Sequence, residues 1–82
     1  MKNNEEIALR VKETIAEQLG LELESVKESD VLERDLGADS MDVLELVMTL
    51  EDVFDISIND EDAKRFISVQ NVIDFISEIK GA

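Results

Sequence analysis

Apolar residues recur at helical spacing in three separate stretches of this 82-residue chain, and this feature limits the fold more than any other. The first row consists of Ile7, Val11, Ile15 and Leu19. Residues four apart lie on one face of an α-helix. The row therefore predicts a helix from about Asn4 to Leu19, which Asn3 or Asn4 can cap and Gly20 can close in the left-handed conformation.

Two further rows predict two more long helices. The second row consists of Val43, Leu46, Val47, Leu50, Val53 and Phe54. It predicts a helix from about Ser40 to Phe54. The last row consists of Val69, Val72, Ile73, Ile76 and Ile79. Ser68 can cap this final helix and Gly81 can end it.

The segments between these helices carry weaker signals. Residues 20–39 have no long periodic pattern, but their apolar residues predict that this connection is pinned across the bundle. Those residues are Leu21, Leu23, Val26, Val31, Leu32 and Leu36. Ser29 or Asp30 can cap a brief helical turn at residues 31–33. Residues 55–59 suggest a short extended connection, after which Asn59 or Asp60 can cap a short helix over residues 61–66.

These elements predict an all-α four-helix bundle, with three main helices, one short third helix and a long loop between helices 1 and 2. At this length we expect residues 1–82 to form a single domain with a modest core.

The charge balance excludes several classes of partner. There are 21 acidic residues and 8 basic ones, which gives a net charge of −13. Nucleic acids and anionic membranes need cations to neutralise phosphate, so we expect neither as a partner, and basic proteins are favoured.

The first residues lack the apolar region of a signal peptide, and no apolar run approaches the ~20 residues of a membrane span. The absence of cysteine fits a reducing compartment and excludes disulfides and thiolate zinc sites.

A serine stands at the start of the second predicted helix, within Leu36-Gly37-Ala38-Asp39-Ser40-Met41. The chain has no histidine, so the usual base of a serine nucleophile is missing. A Ser-Lys pair is possible in principle, but no Lys or Arg occurs from Asp35 to Asp62. A hydroxyl that the chain cannot activate suggests a site where another enzyme attaches a group.

The residue that caps this helix decides whether the Ser40 hydroxyl is available. If Ser40 is the cap, the third helical residue is Val43, which has no acceptor to complete a capping box. If Asp39 is the cap, the third residue is Asp42, a short acidic version of the box. We favour Asp39, which leaves the hydroxyl of Ser40 uncommitted. The alternative, that Ser40 is simply a cap, is a common role for serine.

The same helix has a second apolar strip, formed by Met41, Leu44 and Met48, that points away from the predicted core face. These residues either pack against the long loop or form a docking surface. We favour docking, because methionine adapts to varied partners. In addition, the stretch from Asp35 to Asp62 holds ten acidic residues and no basic one. Such carboxylates steer basic partners.

A dedicated metal site is not expected. The acidic run at residues 59–62 lacks the spacing of an EF-hand loop, so only weak and exchangeable divalent binding is plausible.

Two segments of the chain carry a resemblance to a known family: Leu-Gly-Ala-Asp-Ser-Met-Asp at residues 36–42 and Leu-Glu-Leu-Val-Met at residues 44–48. They resemble acyl carrier proteins, in particular the freestanding carriers of fatty acid synthesis. The resemblance continues through residues 50–56, 60–63 and 69–76. Two positions depart from the family pattern: Met41 stands where leucine is usual, and Asn59 stands where proline is common.

The resemblance implies a carrier and not an enzyme. It implies that a holo-acyl-carrier synthase, a phosphopantetheinyl transferase, attaches 4'-phosphopantetheine to Ser40, and that the thiol of this arm carries growing fatty acyl chains as thioesters. Fatty acid synthesis enzymes with basic docking surfaces are the implied partners, and a cytoplasmic monomer is expected. The implied docking residues are Asp39, Met41, Asp42, Leu44, Glu45, Met48, Glu51 and Asp52. The implied acyl pocket residues are Leu46, Leu50, Phe54, Ile58 and Ala63.

Other functions remain open at this point. Within carriers, the alternative is a polyketide, peptide or D-alanine carrier. Outside them, the alternatives are an acidic interaction module with Ser40 as a helix cap and a self-contained serine hydrolase.

Overall fold

The computed structural model describes residues 4–81, and the side chains of residues 5–81. Within that range it has four α-helices and no β-strand, so the predicted all-α bundle is confirmed. The helices are α1 (Asn4–Leu19), α2 (Ser40–Phe54), α3 (Asp60–Ala63) and α4 (Val69–Lys80). The cap predicted at Asn3 or Asn4 falls outside the described residues and side chains.

The predicted ends of α1 and α4 are confirmed by their local geometry. Gly20 and Gly81 have φ values of 70° and 75°, which is the left-handed conformation that ends a helix without a Cβ clash. At the start of α4, the Ser68 hydroxyl accepts from the Asn71 backbone N–H at 3.1 Å, and the Asn71 side chain accepts from the Ser68 N–H at 3.0 Å. This reciprocal pair satisfies two N–H groups that the helix leaves without partners.

The core lies where α1 packs against both α2 and α4. Its buried apolar residues in these helices are Ile7, Val11, Ile15, Ala16, Leu46, Val47, Leu50, Phe54, Val69, Val72, Ile73 and Ile76. The three rows predicted from spacing therefore supply most of it. Ile79 departs from the prediction, because the last turn of α4 lies beyond the core cluster and leaves this side chain exposed.

The long connection between α1 and α2 is pinned to the bundle through Val26 and Leu32, which are both buried. Leu23 is exposed instead, because it starts a 3-10 turn, Leu23–Ser25, that buries no side chain. Val31 pairs with Ser68 in an isolated antiparallel bridge, and a single turn over residues 32–36 follows it, closed by the Asp35 N–H donating to the Val31 carbonyl at 2.8 Å. The predicted brief turn is therefore present, but Asp30 does not cap it, since its carboxylate accepts from the Lys27 N–H instead.

Helix α3 begins as predicted but is shorter than the predicted residues 61–66. The Asn59 side chain caps it by accepting from the Asp62 N–H at 2.8 Å. After Ala63 the hydrogen bonds span three residues, from Arg65 N–H to the Asp62 carbonyl and from Phe66 N–H to the Ala63 carbonyl. This tighter winding ends the α-helix where Phe66 enters the core.

Candidate functional site

Ser40 is the first residue of α2, and Asp39 is the residue that caps the helix. The Asp39 carboxylate accepts from the Asp42 N–H at 2.9 Å, and the Asp42 carboxylate accepts from the Asp39 N–H at 3.1 Å. The acidic capping box predicted from the sequence is therefore confirmed. It also removes the alternative in which Ser40 serves as the cap.

The segment before Ser40 is fixed by its backbone. Gly37 has a φ of 75°, a conformation that favours glycine, and it turns the chain toward the helix. The next residue, Ala38, is buried, and its N–H donates to the Leu32 carbonyl at 2.9 Å. The start of α2 is thus tied to the long connection on one side and to its own capping box on the other.

The Ser40 hydroxyl is available for chemistry supplied by another protein. The residue is exposed, and its hydroxyl makes no hydrogen bond to any residue from 4 to 81. The sequence has no histidine that could act as a base. Within residues 4–81 the hydroxyl is therefore presented to solvent without a hydrogen-bonded base.

A cavity of about 730 Å³ opens beside Ser40. Its walls come from α2, from the connection at residues 31–33, and from α3 with the turn that follows it. The lining residues are Val31, Glu33, Ser40, Val43, Leu44, Val47, Asp60, Ala63, Lys64, Phe66 and Ile67. Most of the lining is apolar, so the cavity suits an apolar guest next to the hydroxyl.

One wall of this cavity depends on pairing between distant parts of the chain. The Leu32 N–H donates to the Ile67 carbonyl at 2.9 Å, and the Val69 N–H donates to the Asp30 carbonyl at 3.0 Å. These bonds flank the bridge between Val31 and Ser68. They hold the long connection against the junction of α3 and α4.

The five predicted acyl pocket residues occupy two kinds of position. Ala63 lines the cavity beside Ser40. Leu46, Leu50, Phe54 and Ile58 lie deeper, in the buried core. Phe54 also borders a smaller cavity of about 290 Å³. Their role as a pocket for an acyl chain stays a prediction.

The second apolar strip of α2 is on the surface. Met41, Leu44 and Met48 are 65%, 55% and 58% exposed, respectively. This confirms their predicted position and excludes the alternative that they are covered by the long loop. The strip is continued across the cavity by Ile67, which is 59% exposed and borders the same cavity as Leu44.

The five acidic residues predicted to dock partners differ in how free their carboxylates are. Asp39 and Asp42 are engaged in the capping box. Glu51 is half-buried, and its carboxylate accepts from the Ile58 N–H at 2.7 Å, so this carboxylate is engaged within the protein. This bond fastens the connection after α2 to the helix. Glu45 and Asp52 are exposed, and Glu45 makes only a long contact of 3.5 Å with Gln18.

An ion pair organises the turn just before the serine segment. The Arg34 guanidinium donates to both carboxylate oxygens of Asp35 at 3.2 Å, and Asp35 also accepts from the Val31 N–H at 2.7 Å. The bond from Arg34, and secondly the bond from the Val31 backbone, lower the pKa of Asp35 below its ordinary value of 3.8. The same pair raises the pKa of Arg34.

Of the residues that line the cavity, only Ser40, Leu44 and Ala63 were predicted as site residues. Val43 and Val47 were assigned to the core and Asp60 to a possible cap. Val31, Glu33, Lys64, Phe66 and Ile67 were not connected with the site. The only available signal was Lys64, which is the first cation after the acidic run. The others come to the site through pairing between distant segments, which leaves no periodic pattern in the sequence.

Within residues 4–81 no group of three or more acidic side chains is arranged to hold a metal ion. None of the helices described there has the length and apolar character needed to cross a membrane.

Residues 9–76 match the family model described as a phosphopantetheine attachment site, and this match covers most of the chain. The chain therefore belongs to the phosphopantetheine-binding family of carrier domains. Domains of this family carry 4'-phosphopantetheine covalently and are not catalytic themselves. Such a carrier requires a phosphopantetheinyl transferase to attach the arm and enzymes that handle the carried groups.

The described residues fit this cofactor. An exposed hydroxyl without a hydrogen-bond partner stands at the start of α2, and an apolar cavity opens next to it. When bound, phosphopantetheine supplies a terminal thiol that holds an acyl group as a thioester. The protein contributes the anchoring oxygen and the neighbouring surface.

Proposed function

We propose that this protein carries growing fatty acyl chains as thioesters on a phosphopantetheine arm attached to Ser40, and delivers them to enzymes of fatty acid synthesis. The observation that carries this proposal is the exposed, uncommitted hydroxyl of Ser40 at the edge of the 730 Å³ cavity. Ser40 is the only serine among the residues that line this cavity. An arm attached there can direct its cargo to the apolar walls.

The nature of the cavity supports an apolar cargo. Val43, Val47 and Ala63 line it beside the attachment residue. A fatty acyl chain gains free energy by leaving water for such walls, whereas an aminoacyl group gains little. The resemblance of residues 36–48 to fatty acid carriers points to the same cargo. We therefore favour it over polyketide, peptide or D-alanine transfer.

We also propose that the predicted pocket residues form the deeper part of the acyl site. Ala63 lines the cavity, and Leu46, Leu50, Phe54 and Ile58 are buried in the core. A long chain reaches these four side chains only if the core repacks around it.

The exposed strip of α2 is proposed as the docking surface for partner enzymes. Met41, Leu44 and Met48 provide its apolar part. Glu45 and Asp52 provide exposed carboxylates for basic partner surfaces. Asp39, Asp42 and Glu51 add negative potential while they are engaged in bonds within the protein.

The net charge of the chain supports a carrier that works as a monomer with a single domain. At a net charge of −13, two copies repel each other when their acidic surfaces approach. We propose the cytoplasm as its location, since a chain without cysteine fits a reducing compartment.

The attachment is tested by incubating the protein with coenzyme A and a broad-specificity phosphopantetheinyl transferase, followed by mass spectrometry. We expect a mass gain of one phosphopantetheine group in the wild type and none in Ser40→Ala. Ser57→Ala, which changes another exposed serine, is the control and should still gain mass. A gain that persists in Ser40→Ala would contradict the assignment of Ser40.

The cargo is tested by loading the arm with an octanoyl or an alanyl group and recording methyl NMR spectra. The octanoyl group should shift the methyl signals of Val43, Val47 and Ala63, because it enters the cavity that they line. The alanyl group should leave them close to their positions in the unloaded holo protein. Equal shifts for the two cargoes would count against a fatty acyl carrier.

Docking is tested with Glu45→Lys, which reverses a free carboxylate beside the strip. We expect kcat/KM of the phosphopantetheinyl transferase to fall by about tenfold, which is the effect of a ~1.4 kcal/mol loss in the encounter. Glu13→Lys is the matched control, since it makes the same charge change at an exposed site on α1. If both variants slow the transferase equally, the effect belongs to net charge and not to docking.

A further inference from the structure

Attachment of phosphopantetheine to Ser40 creates a local excess of negative charge. The phosphodiester adds one negative charge at the start of α2. Two carboxylates, Asp39 and Asp42, flank Ser40 and are held in place by the capping box. Like charges at short distance repel strongly when water is partly excluded. An arm anchored there is stabilised if the protein brings a cation to the same place.

The sequence around Ser40 does not provide that cation. No Lys or Arg occurs from Asp35 to Asp62, so the first cations on the two sides of Ser40 are Arg34 and Lys64. Arg34 is already bound to Asp35 through two contacts of 3.2 Å. Lys64 is therefore the one of these two whose charge is not committed within residues 5–81.

The fold brings Lys64 to the cavity that opens beside Ser40. Both residues line it, and Lys64 is the only basic residue in the lining. The lining also contains the carboxylates of Glu33 and Asp60. Lys64 is held there by its backbone, because it is the C-terminal cap of α3 and its N–H donates to the Asp60 carbonyl at 3.2 Å.

The ammonium group of Lys64 is free to bind an anion. It forms no ion pair or hydrogen bond with the side chains of residues 5–81. Its neighbour Arg65 behaves differently, since its guanidinium lies 3.6 Å from the Asp62 carboxylate and the residue does not line the cavity. Two adjacent cations therefore have distinct surroundings, and only one of them borders Ser40's cavity.

We propose that Lys64 is a positioning residue that pairs with the phosphodiester of the arm on Ser40 and holds the arm against the cavity. The inference rests on the proposed attachment at Ser40. Lys64 takes no part in bond making or breaking. Its flexible side chain brings a compact point charge to the phosphate, which is the usual way that lysine binds this group.

The test is a thermodynamic cycle between the modification and the substitution. The folding equilibrium constant is measured by urea denaturation for the apo and holo proteins, each as wild type and as Lys64→Gln. A pair that exists only in the holo protein makes Lys64→Gln more harmful there than in the apo protein. We expect an excess loss of roughly two- to fivefold in the folding constant, as for an exposed ion pair.

Arg65→Gln is the matched control, because it removes one positive charge at the next position. It should change the apo and holo constants by the same factor. The excess loss for Lys64→Gln should also disappear at about 1 M salt, where the screening length falls to ~3 Å. An equal loss in the apo and holo forms, or the same excess for Arg65→Gln, would overturn the proposal.

Failure of this inference is distinguishable from failure of the proposed function. If Ser40 gains the arm but the cycle gives no excess for Lys64→Gln, only the role of Lys64 is wrong. If mass spectrometry finds no gain at Ser40, both proposals are wrong.

Discussion

Replacement of Glu51 by alanine should destabilise the fold, although the sequence places this residue in an acidic docking surface. The Glu51 carboxylate accepts from the Ile58 backbone N–H at 2.7 Å in a partly buried position. Ile58 itself is buried in the core. In Glu51→Ala the N–H of Ile58 loses its acceptor, and the connection between α2 and α3 loses its side-chain link to the helix, while the Ile56 N–H still donates to the backbone carbonyl of residue 51.

The magnitude follows from the type of bond. A hydrogen bond to a charged group contributes about 1.5–3 kcal/mol, and partial access of water reduces this value. We therefore expect Glu51→Ala to lower the free energy of unfolding by about 1–2 kcal/mol. For a domain of this size, each kcal/mol corresponds to a fall of about 4–8 °C in the melting temperature.

Glu45→Ala is the matched control for this prediction. It removes one carboxylate from the same helix, so its effects on net charge and helix propensity are the same, but Glu45 is exposed. Its cost should stay within about 0.5 kcal/mol. Urea denaturation followed by far-UV circular dichroism suits a chain without Trp or Tyr. Equal stabilities of the two variants would refute the structural role of Glu51.

Three further predictions concern stability. Phe54→Ala should lower the free energy of unfolding by about 3–5 kcal/mol in urea denaturation, because the ring is buried in the core; a loss below 1 kcal/mol would instead indicate a loose interior. The melting temperature should rise with added NaCl or Mg²⁺, because screening relieves repulsion at a net charge of −13; an unchanged temperature would contradict this. NMR titration should give Asp35 a native pKa below its ordinary value of 3.8. The contribution of the ionised Asp35 carboxylate to the free energy of unfolding is then complete above pH 3.8 and is lost as the pH falls through the lowered pKa. A native pKa above 3.8 would contradict this, because ionisation of Asp35 would then destabilise the fold.

Local signals predicted the helices well because their causes are local. Asp39 and Asp42 are three residues apart, so the capping box could be inferred from the sequence and is present in the structure. The same holds for the Ser68 cap and for the glycines that end α1 and α4. Predictions that needed knowledge of neighbouring elements failed, as for the burial of Leu23 and Ile79. The bond from the Ile58 N–H to the Glu51 carboxylate was not predicted either.

Some features of the candidate site could likewise be predicted from local sequence, and others could not. Helical geometry sufficed to put Met41, Leu44 and Met48 on an exposed strip, because a fixed rotation per residue sets the face of each side chain. The cavity beside Ser40 could not be predicted in this way. Its walls include Val31 and Ile67, which are far apart in the sequence and meet only when the bundle is assembled.

The sequence by itself determined the three long helices and favoured Asp39 as the cap that leaves Ser40 uncommitted, in an acidic chain without histidine. The tertiary structure decided what surrounds that serine. The bridge between Val31 and Ser68 closes a loop of more than thirty residues and brings the long connection against the end of α3. Long-range pairing of this kind depends on the packing of the whole core, since no local preference fixes the partner of an isolated bridge. That pairing forms the cavity and brings Lys64 to it.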